Sequence, residues 1–203
     1  MSLSTYTDLR NAVTGWLHRD DLAASAVDFI ALAEARFRRQ LRLRQQMTTA
    51  ALSTVAGTET VALPSGWLQF HSLRLVAPDR VLDFLPAVQF RTRYQAADTG
   101  APVHYTVEGA NLVLGPKPDS VYSISAVYYA EVPALSDSAS TNWLLTSYPG
   151  LYLFASLAEA APFIGQDARI ATWEAKYGAE LESARDADRK ARSNGSGLRM
   201  RPR

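Results

Sequence analysis

The side chains able to do chemistry are few and scattered. His18, His71 and His104 fall in three different predicted elements, and no His-x-x-x-His or Asp/His spacing brings imidazoles to one metal ion. Cysteine is absent, which removes disulfides, thiolate metal sites and cysteine nucleophiles. Asp20-Asp21 has the composition of an acid–base pair. It stands beside Arg19 at a predicted helix boundary, however, where capping and solvation are the simpler role. Glu159 lies among Ala and Leu in a predicted helix and reads as a half-buried polar tether. Gly195-Ser196-Gly197 lacks the preceding strand, the following helix and the Lys-Ser/Thr that a phosphate loop needs. There is no Gly-x-Ser-x-Gly elbow. A Ser-His-Asp set stays open, because triads form in space rather than by spacing. The reading is that the chain is not an enzyme and takes no cofactor or metal.

What the chain does concentrate is arginine. One stretch carries Arg36, Arg38, Arg39, Arg42 and Arg44 around an apolar helical stripe. Three roles suit it: facing DNA in a bore, pairing with acids of neighbouring subunits, or forming a solvated face with partial salt bridges. The other stretch is Arg189 to Arg203, with six basic side chains (Arg189, Lys190, Arg192, Arg199, Arg201, Arg203) and no acidic one. Its Gly, Ser, Asn and Pro leave too little apolar surface to fold unaided, so it needs a partner as template. Leu198 and Met200 are its apolar anchors, and Arg199, Arg201 and Arg203 suit acidic or carbonyl groups on that partner.

The whole chain has 21 basic and 20 acidic residues. Removing the six basic groups of the tail leaves 15 against 20, so residues 1–188 carry a net charge of −5. The positive charge is therefore local. No helix-turn-helix, zinc-finger or RNP motif is present. A net acidic body suits a conduit that DNA slides through better than a surface that reads it.

These residues need a scaffold. At 203 residues and 47% hydrophobic, the chain is large enough for a real core. The start, Met-Ser-Leu-Ser-Thr-Tyr-Thr-Asp, has no basic and apolar signal-peptide pattern, and no apolar run approaches the ~20 residues of a membrane span. The expectation is a protein of the cytosol, or of a particle assembled there, with no membrane partner.

Thr5 with Asp8 predicts a helix start, followed by Leu9, Val13, Trp16 and Leu17 at helical spacing. Ser25 with Asp28 predicts a second start, with Ile30, Ala33, Phe37 and Leu41 as its stripe. From 48 to 130, Val, Thr, Leu and Tyr dominate between Pro and Gly breaks. Hairpins are expected from Thr49–Val55 with Thr60–Leu63, Phe70–Val76 with Arg80–Leu85, and Tyr105–Glu108 with Asn111–Leu114. Pro86–Tyr94 reads as a short helix and Val121–Ala130 as the longest strand. Short connections predict an antiparallel sheet. Pro133–Thr141 reads as a polar loop, and Asn142 opens a helical turn. Ser147 with Pro149 starts a helix to Ala161, and the last helix begins at Gln166 or Asp167. In that last helix Ile170, Trp173, Tyr177, Leu181 and Ala184 make an apolar seam.

The fold class is α+β. Residues 1–47 and 142–192 form a small antiparallel helical bundle, 48–141 a β-rich insert, and 193–203 an extended C-terminal arm.

The order of several short segments resembles the head-to-tail adaptor proteins of tailed bacteriophages, the group that includes tail tubular protein A. The segments are Thr5-Tyr6-Thr7-Asp8-Leu9 with Trp16 to Asp21, Phe29 to Arg39, and Val61-Ala62-Leu63-Pro64 with Leu73-Arg74-Leu75. They continue with Leu112 to Pro118, Tyr128 to Asp137, Asn142-Trp143-Leu144-Leu145, Leu157 to Phe163, and Trp173 to Tyr177. The resemblance implies a dodecameric ring between the portal protein and the tail nozzle protein, at the head–tail interface of the virion. It also implies a bore that passes DNA without sequence recognition, and a portal-binding arm at Arg189 to Arg203. The alternative from the residues alone is a nucleic-acid-binding module with a basic tail. A hydrolase or transferase with an unrecognised site is the third reading.

Overall fold

The computed structural model describes residues 3–95, 97–165 and 168–193. Among them are seven α-helices and two four-stranded sheets, an α+β protein as the sequence pattern predicts. The helices are α1 (Tyr6–Leu17), α2 (Ala26–Gln40), α3 (Ala87–Arg93), α4 (Trp143–Ser147), α5 (Pro149–Glu159), α6 (Ala161–Ile164) and α7 (Arg169–Ser193). None of the helices of the described residues is long and apolar enough to cross a membrane.

The described residues of Met1–Gln45 and Val132–Arg203 form one compact unit, and Gln46–Glu131 forms another. In the first, α1 starts on a capping box. The Asp8 N–H donates to Thr5 Oγ1 and the Thr5 N–H donates to Asp8 Oδ2, both at 3.1 Å. Ser25 occupies the N-cap of α2 but makes no side-chain cap bond, so the expected Ser25–Asp28 pairing does not form. Likewise Tyr148, not Ser147, caps α5, whose first residue is Pro149. Asn142 does cap α4, its Oδ1 accepting from the Leu145 N–H at 2.8 Å.

Helix α5 is apolar on every side, with Leu151, Tyr152, Leu153, Ala155, Ser156 and Leu157 all buried. Such a helix belongs inside, and α5 packs against α1, α2 and α7. The stripe Ile30, Ala33, Phe37 and Leu41 and the seam Trp173, Tyr177, Leu181 and Ala184 are buried in the same cluster. Each large side chain so buried contributes roughly 1.5–3 kcal/mol. Trp16 departs from its stripe and is 44% exposed. Residues 132–141, grouped with the β-rich insert on sequence, pack with the helices instead. Leu135 is buried in the helical core, and its N–H donates to Glu34 Oε1 at 2.8 Å.

The second unit contains β1 (Met47–Ser53), β2 (Thr60–Ala62), β3 (Trp67–Leu75), β4 (Arg80–Val81), β5 (Asp83–Phe84), β6 (His104–Glu108), β7 (Asn111–Gly115) and β8 (Ser123–Ala130). The sheets run β1-β8-β3-β4 and β2-β7-β6-β5. Phe70, Leu73, Leu75, Ile124, Ala126 and Tyr128 of one sheet share a core with Leu112 and Leu114 of the other. Side chains alternate along β8, with Ile124, Ala126 and Tyr128 on the buried face. β3, not β8, is the longest strand.

Two pairings correct the sequence reading. β1 and β2 do not form a hairpin. Thr54 Oγ1 accepts from the Tyr122 N–H at 2.8 Å and donates to Ser120 O at 3.0 Å, which holds the end of β1 on β8. The Leu114 N–H then takes Glu59 O at 2.8 Å and starts β2 on the other sheet. Similarly, only Arg74–Val81 and Leu75–Arg80 pair in the β3–β4 hairpin. The chain next crosses to the second sheet, where β5 pairs with β6 in parallel. Parallel neighbours require a crossover, and α3 supplies it.

Candidate functional site

The arginines of the first stretch divide by direction. Arg36 turns inward and its side chain is only 15% exposed. Its guanidinium forks onto both carboxylate oxygens of Glu174, one at 3.0 Å, and lies 3.5 Å from Glu159. It also sits 3.9 Å above the Tyr177 ring, whose hydroxyl donates to Gln40 Oε1. Arg36 thus joins α2 to α5 and α7 inside the subunit, and Glu159 is the tether its apolar setting implies. The Arg36 hydrogen bond holds the Glu174 carboxyl below the ordinary value. Arg38 and Arg39 are exposed on the same helix.

The end of α2 meets the end of α7. The last α2 carbonyls have no partner within the helix, and two arginines serve two of them and the Leu41 carbonyl just beyond. Arg42 donates to Arg38 O at 2.9 Å and to Leu41 O, while Arg185 donates to Gln40 O at 3.1 Å. Asp188 fastens the joint. Its Oδ1 accepts the Arg44 N–H at 2.8 Å and its Oδ2 accepts Arg192 Nε at 2.7 Å. The Asp188 side chain is 10% exposed. Around it Arg42, Leu43, Arg185, Arg189 and Arg192 line an open recess of about 280 Å³. Four guanidinium groups line it with Asp188, while Arg185 pairs with Glu182 at 2.7 Å and Arg189 with Asp186 at 2.8 Å, so four cations meet three carboxylates and the recess keeps a small positive excess.

Arg189, Lys190 and Arg192, counted on sequence with the basic arm but lying within the helical span 142–192, are helical residues of α7. Asp186 at 2.8 Å from Arg189 and Asp188 at 2.7 Å from Arg192 supply side-chain pairs at i,i+3 and i,i+4. Cations also favour a helix C-terminus. The structure therefore sets the end of the first arginine stretch, Arg42 and Arg44, beside the start of the second, Arg189 and Arg192. Leu198, Arg199, Met200, Arg201 and Arg203 lie outside the described residues.

The remaining candidates stay apart. His18 ends α1 in the left-handed conformation, with φ at 53°. The His71 ring meets Tyr129 edge-on, and His104 Nδ1 is 2.5 Å from the Tyr94 hydroxyl. Arg19 forks onto Asp21, and both are exposed. A larger recess of about 520 Å³ is lined by Gly15, Trp16, His18, Arg169, Thr172 and Trp173. There Arg169 donates to Trp16 O at 2.9 Å and so caps α1. Among the described residues, no group of three or more His, Asp or Glu could hold a metal ion.

Glu34, on α2 two residues before Arg36, is half-buried. Glu34 Oε1 accepts from the Leu135 N–H and, at 3.2 Å, from the Tyr152 hydroxyl. That hydroxyl in turn accepts from Asn142 Nδ2 at 2.7 Å, which also donates to Pro133 O. Burial pushes the Glu34 carboxyl up, and burial with Glu34 as neighbour pushes the Tyr152 hydroxyl up.

A family model described as SU10 adaptor protein matches residues 4–201. No curated protein matches the chain. The match spans nearly the whole length, and the chain belongs to the SU10 adaptor protein family. This is a family of phage head–tail adaptors, structural components of the virion. Membership implies association with portal and tail proteins, and oligomerisation.

Proposed function

We propose that this SU10 adaptor joins the capsid portal to the tail nozzle as a cyclic ring, twelve-fold, around a channel through which DNA passes without sequence recognition. A closer kinship with tail tubular protein A, and assembly in the host cytoplasm before use at the head–tail interface, belong to the same reading. The observation that carries it is the meeting of Arg42 and Arg44 with Arg189 and Arg192 at the root of the C-terminal segment. Residues 1–188 carry a net charge of −5, and the basic excess of the chain begins at Arg189, near the C-terminal end of the last helix. The helical unit packs against its neighbours through heterologous contacts, the kind that close into a ring. The arm orders on the portal, with Leu198 and Met200 as anchors and Arg199, Arg201 and Arg203 on acidic or carbonyl groups. Coupling order to binding makes the joint specific.

Deleting residues 193–203 tests this. The shortened protein is expected to keep its folded body and its melting temperature and to lose attachment to the portal. Normal attachment would overturn the reading. A tail-dependent affinity for DNA that falls steeply with salt would favour a nucleic-acid-binding module instead.

A further inference from the structure

The two sheets have four edges, and three are blunt. β4 and β5 are two residues long and carry Arg80 and Asp83, and β2 has three residues. The fourth edge, β1, has seven residues, Met-Thr-Thr-Ala-Ala-Leu-Ser, with no charge, proline or glycine. It keeps register with β8 along its full length without a bulge. Natural edges are protected by brevity, charge, proline or bulges, and β1 has none of these.

The backbone direction follows from Thr54, whose N–H donates to Tyr122 O at 3.0 Å, on the β8 side. N–H groups alternate along a strand. Those of Leu52 and Ala50 therefore face β8, and those of Ser53, Ala51 and Thr49 face away. The latter three residues are exposed. Among the described residues, no hydrogen bond to these three outward groups is found.

We propose that β1 is a strand-addition site, where an extended segment of a different polypeptide of the assembled particle becomes a fifth strand of the sheet. A second copy of this chain fits poorly. Its other edges are two or three residues long against seven. Pairing β1 with β1 would make a closed two-fold dimer, which cannot propagate around the ring proposed above; the inference rests on that reading. The incoming segment has alternating side chains. Apolar residues continue the face of Ala50 and Leu52, which pack against the core, and small or polar residues lie beside Thr49, Ala51 and Ser53.

Amide hydrogen exchange on the full chain, alone and in assembled tailed particles, tests it. Ala50 and Leu52 should exchange slowly in both. Thr49, Ala51 and Ser53 should exchange fast alone and slowly in the particle. If the chain is in the particle and these three still exchange fast, this inference fails and the adaptor reading stands. If the chain is missing from the particle, both fail. Slow exchange in the lone chain together with a two-fold dimer in sedimentation would replace the foreign strand with self-pairing and overturn the proposal. Ala51→Pro removes one outward donor while sparing the β8 ladder. It should lose incorporation into particles with an unchanged melting temperature, whereas Ala50→Pro should unfold the unit. Ala51→Lys charges the edge without altering the backbone and should act like Ala51→Pro. Normal incorporation of both Ala51 variants would overturn the proposal.

Discussion

The backbone N–H of Arg44 donates to Asp188 Oδ1 at 2.8 Å. One half-buried carboxylate thereby fastens the chain leaving α2 to the helix that leads into the basic C-terminal segment. The same carboxylate balances Arg192, so a single residue both anchors the backbone and moderates the charge of the arginine recess.

Asp188→Ala removes the acceptor from a backbone donor and a guanidinium at once. With the side chain 10% exposed, the expected loss is about 1–3 kcal/mol. In a domain of this size each kcal/mol corresponds to roughly 2–4 °C in melting temperature. Asp188→Asn keeps an acceptor for the Arg44 N–H and should cost less. Denaturant titration of both variants reads this, and an unchanged midpoint for Asp188→Ala would show that the joint contributes nothing.

Arg36→Ala should cost about 1–3 kcal/mol, through the lost fork onto Glu174 and the lost contact with the Tyr177 ring. Arg36→Lys keeps the charge but not the planar fork, so it should recover only part. The pH dependence also changes. Arg36 holds Glu174 below the ordinary carboxylate value of 4.5. That stabilisation is present above 4.5 and is lost as pH falls through the lowered folded value. Arg36→Ala should flatten this acid limb, and equal acid sensitivity in both proteins would count against the pairing.

Glu34 carries the opposite sign. Burial raises its carboxyl above 4.5, so the folded chain binds the proton more tightly than the unfolded chain. Below 4.5 the contribution is fully present, and it is lost as pH rises through the folded value. Glu34→Gln offers an uncharged oxygen to the Leu135 N–H and should remove that decline. Glu34→Leu orphans the Leu135 N–H and should cost about 1–3 kcal/mol. Stability-versus-pH curves that superimpose for wild type and Glu34→Gln would refute the assignment.

Much of the local structure was legible in the sequence. The Thr5–Asp8 capping box, the α7 seam from Trp173 to Ala184, the alternation through β8 and the β6–β7 hairpin depend on residues a few positions apart. Periodicity and turn chemistry act at that range. The α+β class followed from them.

The tertiary structure alone decided the partners. An apolar stripe says which face is covered and not what covers it. Nothing near Arg36 in the chain announces Glu174, Glu159 and the Tyr177 ring, and nothing near Glu34 announces Leu135. Strand exchange between sheets was hidden for the same reason. β1 leaves β2 for β8 because Thr54 bonds Ser120 and Tyr122, and β5 turns parallel because α3 carries the chain across. The joining of Arg44 to Asp188, which sets Arg42 near Arg189 and Arg192, required packing α2 and α7 on a shared core. Burial energy chooses such distant neighbours collectively, by the surface the whole chain removes from water, and no short window of residues contains that choice.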